Sequence, residues 1–123
     1  MTGGRLGVAI LGSTGSVGTT ALKVLDRHRE RFRVVAITAN SNAALLREQA
    51  GQFGPAFVGC VAHDPCIPSP TGSGKASHES WGNGSACLVD AATREDVDIV
   101  INAVVGAAGL DATLAALEAG KRV

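Results

Sequence analysis

The 123-residue sequence has no tyrosine, one tryptophan and three phenylalanines, so it lacks the aromatic platforms on which single-stranded nucleic acid stacks. Neither sign of charge is in excess. Eleven Lys plus Arg balance eleven Asp plus Glu, which excludes a basic nucleic-acid tail and an acidic solvating segment. No apolar run approaches the roughly 18 residues of a membrane-spanning helix. Met1-Thr2-Gly3-Gly4-Arg5 passes directly into a short apolar stretch, without the hydrophobic region and cleavage site of a secretory signal. Three cysteines at irregular spacing do not form a disulfide framework, and a reducing cytoplasm is the expected setting. The composition is that of one globular domain with no nucleic-acid or membrane partner.

Within that composition the pattern alternates between two periods. Leu6 to Leu11 (LGVAIL) is apolar on both faces, as a buried parallel strand requires. Residues 16 to about 28 then read as an amphipathic helix, with Val17, Ala21, Val24 and Leu25 assigned to its inner face. Arg33 to Thr38 is a second strand, and a second helix follows with Asn42 as its cap, Leu46, Ala50 and Phe53 inward, and Gly54-Pro55 as its stop. Ala56 to Val61 is a third, shorter strand. From His63 to Ser85 the sequence is rich in Pro, Ser, Gly and Asn, and is expected to be an irregular surface excursion. Beyond it come a short helix near 86–93, a strand at 98–103, and a last helix capped by Asp111, with Leu110, Leu114 and Leu117 facing the core and Gly120 ending it. Lys121-Arg122-Val123 reads as the start of another strand. Repeated strand–helix alternation predicts an α/β fold, a doubly wound parallel sheet of the Rossmann-like kind, and the stop at that last strand suggests a fragment of a larger protein.

The chemistry concentrates at Gly12-Ser13-Thr14-Gly15-Ser16-Val17-Gly18, a G-x-x-G-x-x-G turn between the first strand and first helix. Gly12 permits a sharp exit from the strand, Gly15 lets backbone approach a phosphate, and Gly18 lets the helix pack closely. The free N–H groups of the helix's first turn suit a pyrophosphate, and the Thr14 and Ser16 hydroxyls can add to it. Cofactor choice is read after the second strand. An NAD site places an acid there, but Thr38-Ala39-Asn40-Ser41-Asn42 has none before Glu48. Ser41, Asn42 and the amides opening the second helix suit a 2′-phosphate, which favours NADPH over NADH.

These residues resemble the 1-deoxy-D-xylulose 5-phosphate reductoisomerase family in ILGSTGSVG at 10–18, RFRVVAITA at 31–39 with Ser41-Asn42, NAVVGAAGL at 102–110 and TLAALEAGK at 113–121. The resemblance implies an NADPH-binding domain over residues 1–123. In it Thr14, Gly15, Ser16 and Val17 hold the pyrophosphate, Asn40, Ser41 and Asn42 surround the 2′-phosphate, and Ala103 to Gly109 run beside the nicotinamide half. Asn40 stands where members commonly have Gly, and Asn is the side chain that best tolerates positive φ. The resemblance also implies a full-length homodimer acting on 1-deoxy-D-xylulose 5-phosphate with Mg²⁺ or Mn²⁺. The metal ligands and catalytic residues of the family belong to a later part of the chain, so this stretch alone is expected to be inactive.

Other patterns carry less. Thr71-Gly72-Ser73-Gly74-Lys75 lacks the first Gly and the Ser or Thr of a P-loop. Cys60, His63, Cys66 and Cys87 lack zinc spacing, so Cys60 reads as a small core thiol. Asp90, Glu95, Asp96 and Asp98 read as a solvated acidic turn, and His28 as an exposed helix end. Two alternatives to the reductoisomerase reading are a semialdehyde or acyl-phosphate reductase using NADP, which can open on a similar turn, and a noncatalytic nucleotide-binding module.

Overall fold

A strand apolar on both faces needs a cover on each, and Leu6–Leu11 (β1) obtains both by lying inside a parallel sheet. The computed structural model of the chain describes residues 6–40, 42–61, 80–83, 86–104 and 107–123. In chain order β1 is followed by α1 (Ser16–Arg27), β2 (Phe32–Ala39), α2 (Ala43–Phe53), β3 (Phe57–Cys60), β4 (Ser80–Asn83), α3 (Ala86–Ala92), β5 (Ile99–Asn102) and α4 (Ala107–Glu118). The strands lie in the order β4-β3-β2-β1-β5 and all pair in parallel. The doubly wound α/β expectation therefore holds. One strand, β4, lies within the stretch expected to be irregular; residues 62–79, which carry the P-loop-like run, fall outside the described residues. The turn at the other end is as expected: Arg122 bridges Ile99 in parallel, and the Val100 N–H donates to its carbonyl at 2.7 Å.

Two apolar layers close the sheet. On one face Leu22 and Leu25 of α1 and Leu46 and Ala50 of α2 pack on Val8, Ile10, Val34, Ile37 and Val58. On the other, Cys87, Leu88, Ala91 and Ala92 of α3 and Ala112 and Ala116 of α4 cover Ala9, Leu11, Val35, Ala36 and Val100. Each fully buried aliphatic side chain contributes about 1.5–3 kcal/mol of transfer free energy.

α2 buries Leu46 and Ala50 as expected and α1 buries Leu25 with Ala21 partly covered, but α1 in part and α4 altogether differ from expectation in the face they turn inward. In α1 the inner residues are Gly18, Leu22 and Leu25, while Val17 and Val24 are exposed. Gly18 explains the rotation, because a Cβ there would collide with the Gly12 carbonyl oxygen and stand 2.6 Å from Ser13 Cα. The closest point of approach is set by the residue with no side chain. α4 repeats the principle: it begins at Ala107, so Asp111 lies inside it rather than capping it, and Gly109, Ala112 and Ala116 are buried. Leu110, Leu114 and Leu117 are all more than half exposed. The small-residue face brings α4 against α3 and the sheet, and the leucines are left outside.

The α2 boundaries follow their local signals. Asn42 Oδ1 accepts from the Leu45 N–H at 3.2 Å, and Gly54 closes the helix at φ 60°. Gly120, at φ 82°, ends α4 as expected. Cys60 is disulfide-bonded, which corrects its reading as a simple core thiol and removes the ground on which a reducing setting was expected. Cys87 is a free buried thiol, and burial, helped by the nearby Asp90 charge, pushes its pKa up to about 11.

Two measurements check this packing. Gly18→Ala is expected to lower the unfolding free energy by about 1–3 kcal/mol through backbone overlap, whereas Gly51→Ala, at an open position inside α2, raises it by about 0.5–1 kcal/mol; urea titration reads both. Cys87 is expected to resist a thiol reagent at pH 8 until urea unfolds the chain. Because its native pKa lies above the ordinary 9.0, folding stability falls as pH rises from there toward about 11, and Cys87→Ala should flatten that slope.

Candidate functional site

β1 has β2 on one side and β5 on the other, and the chain winds away from it in both directions. Ligands of open parallel sheets bind at such a switch point, beyond the carboxyl ends of the strands. The turn leaving β1 is built for this place. Gly12 has φ 86°, a backbone state costly for other residues, and a Cβ on it would stand 3.1 Å from the Ala103 carbonyl oxygen. The Gly12 and Ser13 N–H groups both donate to the Thr38 carbonyl, at 3.0 and 2.7 Å, and Gly12 N–H also reaches Thr38 Oγ1 at 3.3 Å. Ser13 is fully buried. Its Oγ donates to Gln49 Oε1 at 2.7 Å, and Gln49 Nε2 donates back to the Ser13 carbonyl at 2.9 Å.

Past this anchor the backbone turns outward. Gly15 caps α1 in an extended conformation with no side-chain cap bond, and the helix has no acidic residue in its first turn. The N–H groups of Thr14, Ser16 and Val17 have no backbone acceptor among the described residues. A Cβ on Gly15 would meet nothing nearer than the Gly12 carbonyl oxygen at 3.8 Å. The framework thus requires glycine at 12 and 18 but not at 15. At 15 its absence of side chain leaves room on the outer side of the turn, next to the free amides.

A cleft of about 350 Å³ opens there, over the ends of β1, β2, β3 and β5. Thr14, Gly15 and Asn40 line it with Gly12, Thr38 and Ala39; Val61, Leu88, Ala103 and Val104 supply its apolar side. Ser16 and Val17 are exposed on the first turn of α1, where with Thr20 and Ala21 they border a separate depression. Asn42 is exposed at the start of α2 with Oδ1 engaged as the cap. Ser41 lies outside the described residues. Asn40 has no positive φ, so the turn after β2 does not need the left-handed state that glycine would offer.

The far wall is held by Asn102 at the end of β5. Its Oδ1 accepts from the Val104 N–H at 3.0 Å, and its Nδ2 donates to the Gly109 carbonyl at 2.8 Å and to Thr113 Oγ1 at 2.6 Å. Ala103 and Val104 of the small-residue segment reach the cleft, whereas Gly109 serves packing, since a Cβ there would stand 2.6 Å from the Val104 carbonyl oxygen.

Sequence reasoning missed Gln49 and Thr38, and Gln49 had a usable signal. It lies three residues after Leu46 and beside Ala50, on the inward face of α2, where a polar side chain requires a buried partner. The acids near β5 serve structure: Arg94 bonds Asp96 at 2.9 and 3.1 Å and holds its carboxyl below the usual carboxylate range, and Asp98 Oδ2 accepts from the Gly7 N–H at 2.8 Å. Among the described residues no three His, Cys, Asp or Glu stand together to hold a metal.

A parallel doubly wound sheet with free amides and a glycine turn at its switch point defines a Rossmann-like α/β domain. The sequence model of the 1-deoxy-D-xylulose 5-phosphate reductoisomerase family matches residues 8–123, and the chain belongs to that family. This separates it from the semialdehyde and acyl-phosphate reductases. The reductoisomerase of Symbiobacterium thermophilum is 42% identical over 125 residues, covering 97% of this chain and 32% of the relative. That of Saccharophagus degradans is 44% identical over 122 residues, covering 94% and 30%. Among solved structures, a reductoisomerase in complex with magnesium superposes with a TM-score of 0.87 at 35% identity, covering 97% of this chain and 30% of that one. The Zymomonas mobilis enzyme in complex with NADPH superposes with a TM-score of 0.81 at 34% identity, covering 96% and 31%. The chain spans about a third of the length of the relatives it matches.

The Asn102 clamp is open to test. Asn102→Ala is expected to lower the unfolding free energy by about 1–3 kcal/mol, since it leaves the Val104 N–H without its acceptor and removes the bonds to the Gly109 carbonyl and the Thr113 hydroxyl; a chemical denaturation curve measures it.

Proposed function

We propose that this chain is the NADPH-binding part of a reductoisomerase that converts 1-deoxy-D-xylulose 5-phosphate to 2-C-methyl-D-erythritol 4-phosphate, a step of isoprenoid precursor synthesis. The observation that carries the reading is Gly15, a glycine that the fold itself does not need, set beside unpaired amides at the mouth of the cleft. The solved relative that holds NADPH and overlays 96% of this chain supports it.

In this reading the N–H groups of Thr14, Ser16 and Val17, with the bare Cα of Gly15 and the Thr14 and Ser16 hydroxyls, take the pyrophosphate at the positive end of α1, while the Gly15 N–H stays on the Gly12 carbonyl at 3.3 Å. Asn40, Ser41, Asn42 and the amides opening α2 take the 2′-phosphate, and the absence of a carboxylate there favours NADPH over NADH. Ala103 and Val104 flank the nicotinamide half. NADPH supplies the hydride that reduces the rearranged substrate. The chain's own part is to bind and orient it.

A divalent ion, Mg²⁺ or Mn²⁺, would polarise the substrate oxygens in the whole protein. Its ligands are assigned to a part of the enzyme outside these 123 residues, so the chain alone is expected to turn nothing over. A homodimer in the cytoplasm completes the proposal for the whole protein.

Calorimetry on the chain tests this. NADPH is expected to bind weakly but saturably, and more tightly than NADH. Gly15→Ala should leave the urea midpoint unchanged while lowering NADPH affinity by about tenfold or more, the loss of roughly one good charge-assisted hydrogen bond. No saturable NADPH binding, or full affinity in the Gly15→Ala chain, overturns the assignment.

A further inference from the structure

We propose that Gln49, on α2, is a positioning residue for the cofactor loop: by holding the Ser13 carbonyl it turns the Thr14 N–H toward the cleft. The inference rests on the cofactor reading above and adds to it a residue far along the chain that touches no ligand.

The pair is unusual in its surroundings. Ser13 is fully buried and Gln49 is 5% exposed, in a layer otherwise filled by Leu22, Leu25, Leu46 and Ala50. Docking α2 on the sheet is accomplished by Leu46 and Ala50, so an apolar residue at 49 would serve that purpose without the desolvation cost of an amide. Both ends of the amide are instead engaged with Ser13. Its oxygen accepts from Ser13 Oγ at 2.7 Å, and its nitrogen donates to the Ser13 carbonyl at 2.9 Å.

The second bond has a directional consequence. In a trans peptide the carbonyl of one residue and the N–H of the next point in opposite directions from one rigid plane. No cis peptide occurs among the described residues. Drawing the Ser13 carbonyl inward to Gln49 therefore drives the Thr14 N–H outward, and that N–H has no backbone acceptor among the described residues while Thr14 lines the cleft. Ser13 N–H is meanwhile held by the Thr38 carbonyl at 2.7 Å. Both sides of residue 13 are pinned, so the plane that follows it has one orientation before any ligand arrives. Preorganisation of this kind raises affinity by removing the ordering cost at binding.

The test uses the 123-residue chain with Gln49→Met, which keeps length and apolar volume but removes both bonds, with Ser13→Ala, and with the double variant. Amide NMR, urea unfolding and NADPH calorimetry are read on each. The expected result for Gln49→Met is a shift or broadening concentrated at the amides of residues 12–15 and a fall in NADPH affinity of about tenfold beyond any loss of folded fraction. Ser13→Ala should lose less, because the bond to its carbonyl remains, and the double variant should lose no more than Gln49→Met. A role in stability alone would instead lower the urea midpoint while leaving the affinity of folded molecules intact; that outcome, spectral change spread over the sheet, or additive losses would overturn the proposal. Should the unaltered chain bind no NADPH, the cofactor reading fails separately. The amide signals of residues 12–15 then decide alone, local change sustaining the positioning role and its absence refuting it.

Discussion

The Thr38 carbonyl, by accepting both the Gly12 and Ser13 amides, forces the chain to turn off β1 within two residues and return close to its own end. That return puts Gly18 against the Gly12 carbonyl oxygen, a contact no side chain survives. From this single corner the rest is set. It fixes where α1 starts, which of its faces meets the sheet, and the direction in which its unpaired first-turn amides point. The cleft beyond β1, β2 and β5 exists because the turn is too tight to fill it.

The same corner explains an economy in the glycines of the motif. At 12 and 18 glycine answers to the protein, through φ and through steric overlap. At 15 it answers to nothing in the protein. A fold that tolerates a side chain at a position yet presents bare backbone there, beside free donors, is the feature on which the proposed anion site rests. Polar groups then hold the arrangement rigid: buried Thr38 and Gln49 from one side, half-buried Asn102 from the other, each with partners on a second element. In a low-dielectric layer such bonds give one orientation rather than several.

The apolar periodicity of α1 and α4 misled in an instructive way. α4 carries two plausible inner faces, one of leucines and one of Gly and Ala, whereas α1 has two overlapping faces that share Leu25. Counting hydrophobicity favours Val17, Ala21, Val24 and Leu25, of which Leu25 is buried and Ala21 partly buried, and Leu110 with Leu114 and Leu117, which are exposed. The structure buries Gly18 with Leu22 and Leu25, and Gly109 with Ala112 and Ala116. In α1 the steric limit at Gly18 sets the rotation, and in α4 the small-residue face lets the helix lie close against α3 and the sheet. The leucines remain as an exposed stripe in a chain about a third as long as its relatives.

Sequence by itself determined the α/β alternation, the strands β1, β2, β3 and β5, the Asn42 cap, the Gly54 and Gly120 stops and the glycine turn. Each of these depends on residues within a few positions of one another, where period, φ preference and capping act. Tertiary structure alone decided the strand at Ser80–Asn83, which has no apolar signature and exists by pairing with β3, the faces that α1 and α4 bury, and the partnership of Ser13 with Gln49 across 36 residues. Those features arise from steric fit and hydrogen-bond satisfaction between segments distant in the chain, and that fit comes into being only when the sheet is assembled.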